Sequence, residues 1–323
     1  MVVVEKKESN MWFVIKAFAI LSVVAAHMSF PLEYFVSDTI RNCLGQIGVG
    51  IFFISAGYFY NRKPNDSKIF WQKKIKTVFL PWLIFSTVVF ILSEFIFGVP
   101  ENLVFDFIKN FFGVGTIYWY MTVLLVLLII FKYIYKTDII LYLCIAITFI
   151  SVSLSSMDLI PYTTVFNKFF NIFNWIGFFA LGILLRRKEL VDKLLGLKFT
   201  IISLIGLIVA TIIAVMKKEL IQSYIDSTSL FVELFGLILL LNIADFLTSS
   251  KLLIDIGKKS FFIYLIHIQI VGIINTRLPY NALFFILRPI IGLAVCYIVA
   301  IVFKYVLNKI KLSKYSFVFG LDR

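Results

Sequence analysis

Runs of about 20 mostly apolar residues recur along the chain, separated by short polar stretches rich in Lys. A run of that length is what an α-helix needs to cross the hydrocarbon core of a bilayer. About ten such segments stand out, centred on 12–30, 43–60, 76–97, 116–135, 138–156, 168–185, 199–216, 228–247, 260–275 and 282–306. They are too long and too free of turn residues for barrel strands, which would read as roughly 10-residue alternating segments. Segment 102–113 (NLVFDFIKNFFG) is too short and too charged to span, and a helix lying in the membrane interface is expected there. The fold class that follows is all-α: a polytopic integral-membrane helical bundle, read as one domain over 1–323. No linker, low-complexity tract or internal repeat interrupts it. The first run has no small-residue cleavage site, so it is expected to be a retained helix that also directs insertion.

Composition strengthens this reading. Of 323 residues 61% are hydrophobic and only 15% charged, with 36 Phe, against about 45–50% apolar and about 25% charged in soluble domains. Lipid must therefore face much of the apolar surface. The net charge of +13 does not point to nucleic acid, because the basic residues sit in clusters between apolar runs. With the N-terminus inside, the clusters at 6–7, 62–76, 132–136, 186–198, 251–259 and 304–323 share the inner side, roughly 23 of the 31 basic residues. The outer side keeps Arg41, Lys109, Lys168, Lys217, Lys218 and Arg277. Both termini are thus expected in the cytoplasm, with acidic membrane lipid as the partner of the inner charge. Cys43, Cys144 and Cys296 show no paired or CxxC spacing and are read as small core or lipid-facing residues.

Ionisable side chains inside the expected spans are costly, and so they are candidates for function. Lys16 and His27 lie eleven residues apart on the first span. Eleven residues make about three turns, which puts both on one helix face about 16 Å apart. Snorkelling of Lys16 and an interfacial His27 would explain the same pattern. His267, in SFFIYLIHIQI, is the second of two histidines, and a bundle histidine hydrogen-bonded to a neighbouring helix is its structural alternative. Glu233 and Arg288 could pair with each other or bind a polar substrate. Lys73, Lys74 and Lys76, in WQKKIKTVFLPW, gather cations at the inner start of the third span, which suits a phosphate group but is equally what topology alone requires. There is no P-loop, GxGxxG, HExxH or GxSxG motif.

These residues, with several further segments in order, resemble acyltransferase family 3, the integral-membrane acyltransferases that modify bacterial surface glycans. Lys16 and His27 are similar to its R/K-X10-H signature. GVGIFFISAGYF at 48–59 is similar to its FFxxSGY helix, with Ala56 at the usual Ser. KKIKTVFLPWLIF at 73–85 resembles its RxxR segment and Pro-Trp helix, with Lys73 and Lys76 replacing the arginines. TIYWYMTVLL at 116–125, FFALGILLRRK at 178–188 and SFFIYLIH at 260–267 resemble its later motifs, so the likeness runs from about residue 12 to about 300. The resemblance implies a multi-pass protein of the bacterial cytoplasmic membrane that moves an acyl group, acetyl first of all, from cytoplasmic acyl-CoA to a glycan hydroxyl. It implies acetyl-CoA as donor substrate, with no permanently bound cofactor or metal. His27 with Lys16 would be catalytic, His27 as general base or as the carrier of a covalent acyl group. Lys73, Lys74 and Lys76 would dock coenzyme A, and His267, Arg288, Trp119, Tyr120 and Glu233 would contact substrate. A homo-oligomer is compatible with this reading. A transporter or flippase for a polar or lipid-linked substrate, or an accessory scaffold, would use the same intramembrane charges differently.

Overall fold

A computed structural model of the chain describes residues 2–28, 35–60, 67–97, 102–163, 166–217, 225–279 and 282–321. Arg62, Lys63, Lys218 and Arg323 of the charge pattern lie outside the described residues, as do the side chains of Arg41, Cys43 and Lys217. The protein is helical throughout, with no strand among the described residues. Its helices are α1 (Val2–Ala26), α2 (Phe35–Tyr60), α3 (Ser67–Lys74), α4 (Leu80–Phe97), α5 (Leu103–Phe112), α6 (Trp119–Ile134) and α7 (Asp138–Ser156). There follow α8 (Ile176–Arg187), α9 (Leu190–Lys193), α10 (Leu197–Lys217), α11 (Ser227–Phe246), α12 (Lys251–Arg277) and α13 (Ala282–Lys309). Among the described residues seven helices are long and apolar enough to cross a membrane, and Gly45–Tyr60 and Trp119–Ile134 are shorter apolar helices.

Nine of the ten expected spans fall on these helices, with α1 and α12 beginning about ten residues earlier than hydropathy alone suggests. The expected span 168–185 is different. Only its second half is helical, in α8, whose 12 residues cover about 18 Å. Before it the chain makes turns and a short 3₁₀ segment, Ile172–Asn174. Three asparagines explain the break, because their side chains compete for backbone partners. Asn167 Oδ1 accepts from the N–H groups of Phe169 and Phe170 (2.9 and 3.3 Å), and Asn171 Oδ1 from Phe173 (3.2 Å). Inside the bundle Asn171 Nδ2 donates to Ser151 (3.0 Å), and Ser151 donates to Asn174 (2.7 Å).

Polar and ring contacts set the helix directions. Ser22 of α1 bonds Gly45 and Gly48 of α2 at one end, both at 2.9 Å, and Tyr58 donates to Glu8 at the other (2.5 Å), so α1 and α2 are antiparallel. Trp175 rests on Phe53 at 5.2 Å and Arg186 over Tyr58 at 5.4 Å, so α8 runs parallel to α2. On α12 Gly257 meets Phe13, and Asn275 reaches the carbonyl of His27 (3.3 Å), so α12 runs parallel to α1.

Small residues let these helices approach, as is usual where lipid supplies no hydrophobic drive for association. A Cβ on Gly57 would lie 2.0 Å from the Phe179 carbonyl oxygen, and one on Gly182 2.0 Å from that of Ile54. Gly182→Val is therefore expected to destabilise the bundle by about 1–3 kcal/mol through overpacking. Thermal unfolding in detergent checks this, and an unchanged midpoint would mean that α2 and α8 do not touch at these glycines.

Segment 102–113 does form a short helix, α5. Asn102 caps it by accepting from Phe105 N (3.1 Å), and Gly113 ends it with φ 85°. Leu103, Val104, Phe105, Ile108 and Phe112 are exposed, whereas Phe111 stacks on Trp82 at 4.4 Å. One apolar face is thus left exposed while the other is tied to α4.

Candidate functional site

The helices surround one cavity of about 970 Å³, at the upper end of small-molecule pockets. Along α1 and the turn after it the wall is Phe13, Lys16, Val23 and His27, one face about 21 Å long. On α12 the wall is Gly257, Phe261, Tyr264 and Ile268, again at helical spacing. Gly257 allows this arrangement, since a Cβ there would meet the Phe13 carbonyl oxygen at 1.9 Å and push α12 off α1.

One end of the cavity is cationic. Lys73, Lys74 and Thr77 line it. Lys73 and Lys74 precede, and Thr77 lies within, a π-helical turn, Ile75–Phe79, in which Leu80 N–H reaches back five residues to the Ile75 carbonyl. Pro81 accounts for that turn, because it has no N–H and its ring crowds the carbonyl four positions back, on Thr77. Thr77 Oγ1 donates to the Lys73 carbonyl at 2.9 Å. Lys76 is exposed and does not line the cavity. Spacing alone groups all three lysines, but the altered phase of the widened turn separates them. Lys16 belongs to this end as well: its Nζ lies 5.1 Å from the Phe59 ring and 5.7 Å from that of Phe13.

His27 marks the other end, in the turn that follows α1, with its side chain exposed to the cavity. Its ring centroid is 5.1 Å from that of His267. His267 is fully buried behind it and does not line the cavity. Its Nδ1 lies 2.6 Å from the Tyr264 carbonyl oxygen, which can only accept, so Nδ1 carries the proton. Its Nε2 then keeps a lone pair, with no hydrogen-bond partner among the described residues. Trp119 and Tyr120 line the cavity. Tyr120 also packs on Phe53 (4.6 Å) and Tyr264 (5.5 Å), and the Tyr264 hydroxyl bonds the Ile117 carbonyl.

Two candidates stand apart from this group. Arg288 is fully buried and donates to the carbonyls of Leu278 and Pro279, so it ties α13 to the chain leaving α12. Glu233 is 3% exposed, and its carboxyl packs on Gly50 of α2. The two do not pair with each other, and neither lines the cavity.

Several lining residues were not selected from the sequence, among them Ser55, Asn167, Tyr264 and Gln269. Ser55 and Tyr264 sit inside motifs already singled out, so helical phase would have found them. Asn167 and Gln269 carry no pattern, since the first lies at the edge of a presumed span and the second among ordinary polar ends.

Comparison with curated proteins returned no match, nor did comparison with solved structures. The acyltransferase family 3 model, described as an acyltransferase domain, matches residues 14–308. That range contains both ends of the cavity, from Lys73 and Lys74 to His27. The chain therefore belongs to acyltransferase family 3 and is a multi-pass membrane acyltransferase.

Proposed function

We propose that this enzyme moves a short acyl group, acetyl first of all, from cytoplasmic acyl-CoA to a hydroxyl of a cell-surface polysaccharide or lipid-linked glycan. The bilayer would be the bacterial cytoplasmic membrane, with the lysine end of the cavity facing the cytoplasm, as the basic clusters require. What carries the reading is the continuity of one cavity from Lys73 and Lys74, past Lys16, to His27. Cations at one end suit the phosphates of coenzyme A, and a slender acyl-bearing arm laid along α1 would reach the imidazole at the other.

In the transfer, His27 accepts the proton of the acceptor hydroxyl as its oxygen attacks the thioester carbonyl. The C–O bond forms and the C–S bond breaks. The thiolate leaves, and the proton held by His27 passes to it. His267 packs against the His27 ring and holds its orientation. Lys16 lies about 16 Å from His27 along the helix, and its ammonium is placed between Phe13 and Phe59, so it serves the donor rather than the reacting atoms. Arg288 and Glu233, away from the cavity, support the bundle.

Thermal unfolding of the purified protein with acetyl-CoA, coenzyme A and ATP tests the donor assignment. A ligand at 100 times its Kd stabilises by about 2.7 kcal/mol. Acetyl-CoA and coenzyme A are expected to raise the midpoint and ATP to raise it less. No shift from acetyl-CoA at millimolar concentration would rule out an acyl-CoA donor.

A further inference from the structure

We propose that the histidine end of the cavity holds a subsite for one uncharged sugar unit, with Trp119 as its stacking face and the amides of Asn167 and Gln269 as its hydrogen-bonding groups. This rests on the reading above that the acceptor is a glycan, and it states which unit the cavity accepts and how.

All three residues line the cavity. Gln269 lies two positions beyond His267 on α12. Asn167 precedes α8, whose start lies at the same end as His27 because α8 runs parallel to α2 and so opposite to α1. Trp119 opens α6 and packs on Phe169 (5.0 Å) and Trp175 (5.2 Å), which places it beside the Asn167 segment.

The wall is preorganised. Trp175 Nε1 donates to the Phe169 carbonyl at 3.0 Å and Asn174 Nδ2 to that of Lys168 at 2.9 Å, so the segment carrying Asn167 is pinned from within the bundle. Trp119 is therefore backed on one side and half-exposed on the other.

The polar groups left over suit a sugar. Asn167 spends its carbonyl oxygen on Phe169 and Phe170, which leaves its NH₂ group as two donors. Gln269 is exposed and makes no hydrogen bond among the described residues. An aromatic face takes the C–H side of a pyranose while amides take its hydroxyls.

Charge narrows the class. Among the described lining residues the Lys and Arg side chains are Lys16, Lys73 and Lys74, all on the donor side, and no Asp or Glu lines the cavity. A uronic acid or phosphorylated sugar would therefore enter this end with its charge unmatched.

Tryptophan fluorescence of the full-length protein in detergent, titrated with N-acetylglucosamine, methyl glucoside and glucuronate, tests this. The neutral sugars should give a saturable change, lost in Trp119→Phe, with glucuronate about tenfold weaker. Asn167→Asp keeps the oxygen that caps Phe169 and Phe170 but removes the donors, and Gln269→Leu alters an exposed side chain, so both variants should fold. Each should bind the neutral sugars about 3- to 10-fold more weakly, the effect of one hydrogen bond. No saturable change, equal binding of glucuronate, or wild-type affinity in both variants would overturn the subsite. The acetyl-CoA midpoint shift in the same preparations separates the two readings. If that shift persists while sugars fail, only the subsite falls; if sugars bind while it is absent, the donor assignment falls and the subsite stands.

Discussion

His27→Ala is expected to lower the rate of acyl transfer by about 10²–10⁴-fold, the usual contribution of a positioned general base. The imidazole is the one histidine side chain lining the cavity among the described residues, and the other, His267, is buried behind it with Nδ1 bonded to the Tyr264 carbonyl. The His27 ring is exposed to the cavity rather than packed in the core, so its removal should cost little stability. The measurement is transfer of labelled acetate from acetyl-CoA into the membrane glycan fraction, with the acetyl-CoA midpoint shift as control for an intact donor site. Full transfer by a folded His27→Ala protein would end the general-base assignment. His267→Gln should behave differently. It keeps a polar group beside His27 but not the imidazole, and because His267 does not line the cavity the rate should fall less than for His27→Ala.

The second large effect concerns donor affinity. Lys73→Glu and Lys74→Glu are each expected to weaken acetyl-CoA binding by about 10-fold or more, since a hydrogen bond to a charged group contributes about 1.5–3 kcal/mol. Placing a carboxylate beside phosphates adds repulsion. Lys76→Glu should stay within about 3-fold of wild type, as expected of an exposed charge off the cavity in salt. Titration at two salt concentrations reads both effects, and the wild-type affinity should fall as salt rises. Equal losses at all three lysines would mean that the widened turn before Pro81 does not sort them. No loss at Lys73 or Lys74 would move the donor phosphates elsewhere.

The contrast among the three lysines shows where sequence reasoning reaches its limit. Spacing puts Lys73 and Lys76 on one face of a regular helix, and the likeness to a basic RxxR segment supported that grouping. The helix is not regular there. Pro81 was visible in the sequence, but which carbonyl its missing N–H would free, and how the chain would absorb the loss, depended on the packing around it. The asparagines at 167, 171 and 174 misled in the same way. Their polarity was diluted in a segment with enough Phe and Ile to read as a span, yet buried Ser151 made a non-helical path cheaper than a continued helix.

The sequence by itself determined the environment, the helical class and the family. Those depend on apolar run length, on charge distribution and on motifs local in the chain, because each spanning helix satisfies its own backbone and needs no partner to be recognised. It also determined that Lys16 and His27 share a face, since that follows from helical pitch alone. Tertiary structure decided what that face looks onto. Only the folded bundle shows that one cavity joins Lys73 and Lys74 to His27 and that His267 stands behind the His27 ring rather than in the cavity. Arg288 and Glu233, both costly to bury, lie off that cavity, Arg288 on the carbonyls of Leu278 and Pro279 and Glu233 against Gly50. These outcomes depend on which helices lie side by side and at what depth. That is set by close approaches such as Gly57 with Gly182 and Gly257 with Phe13, contacts between residues far apart in sequence that no local pattern encodes.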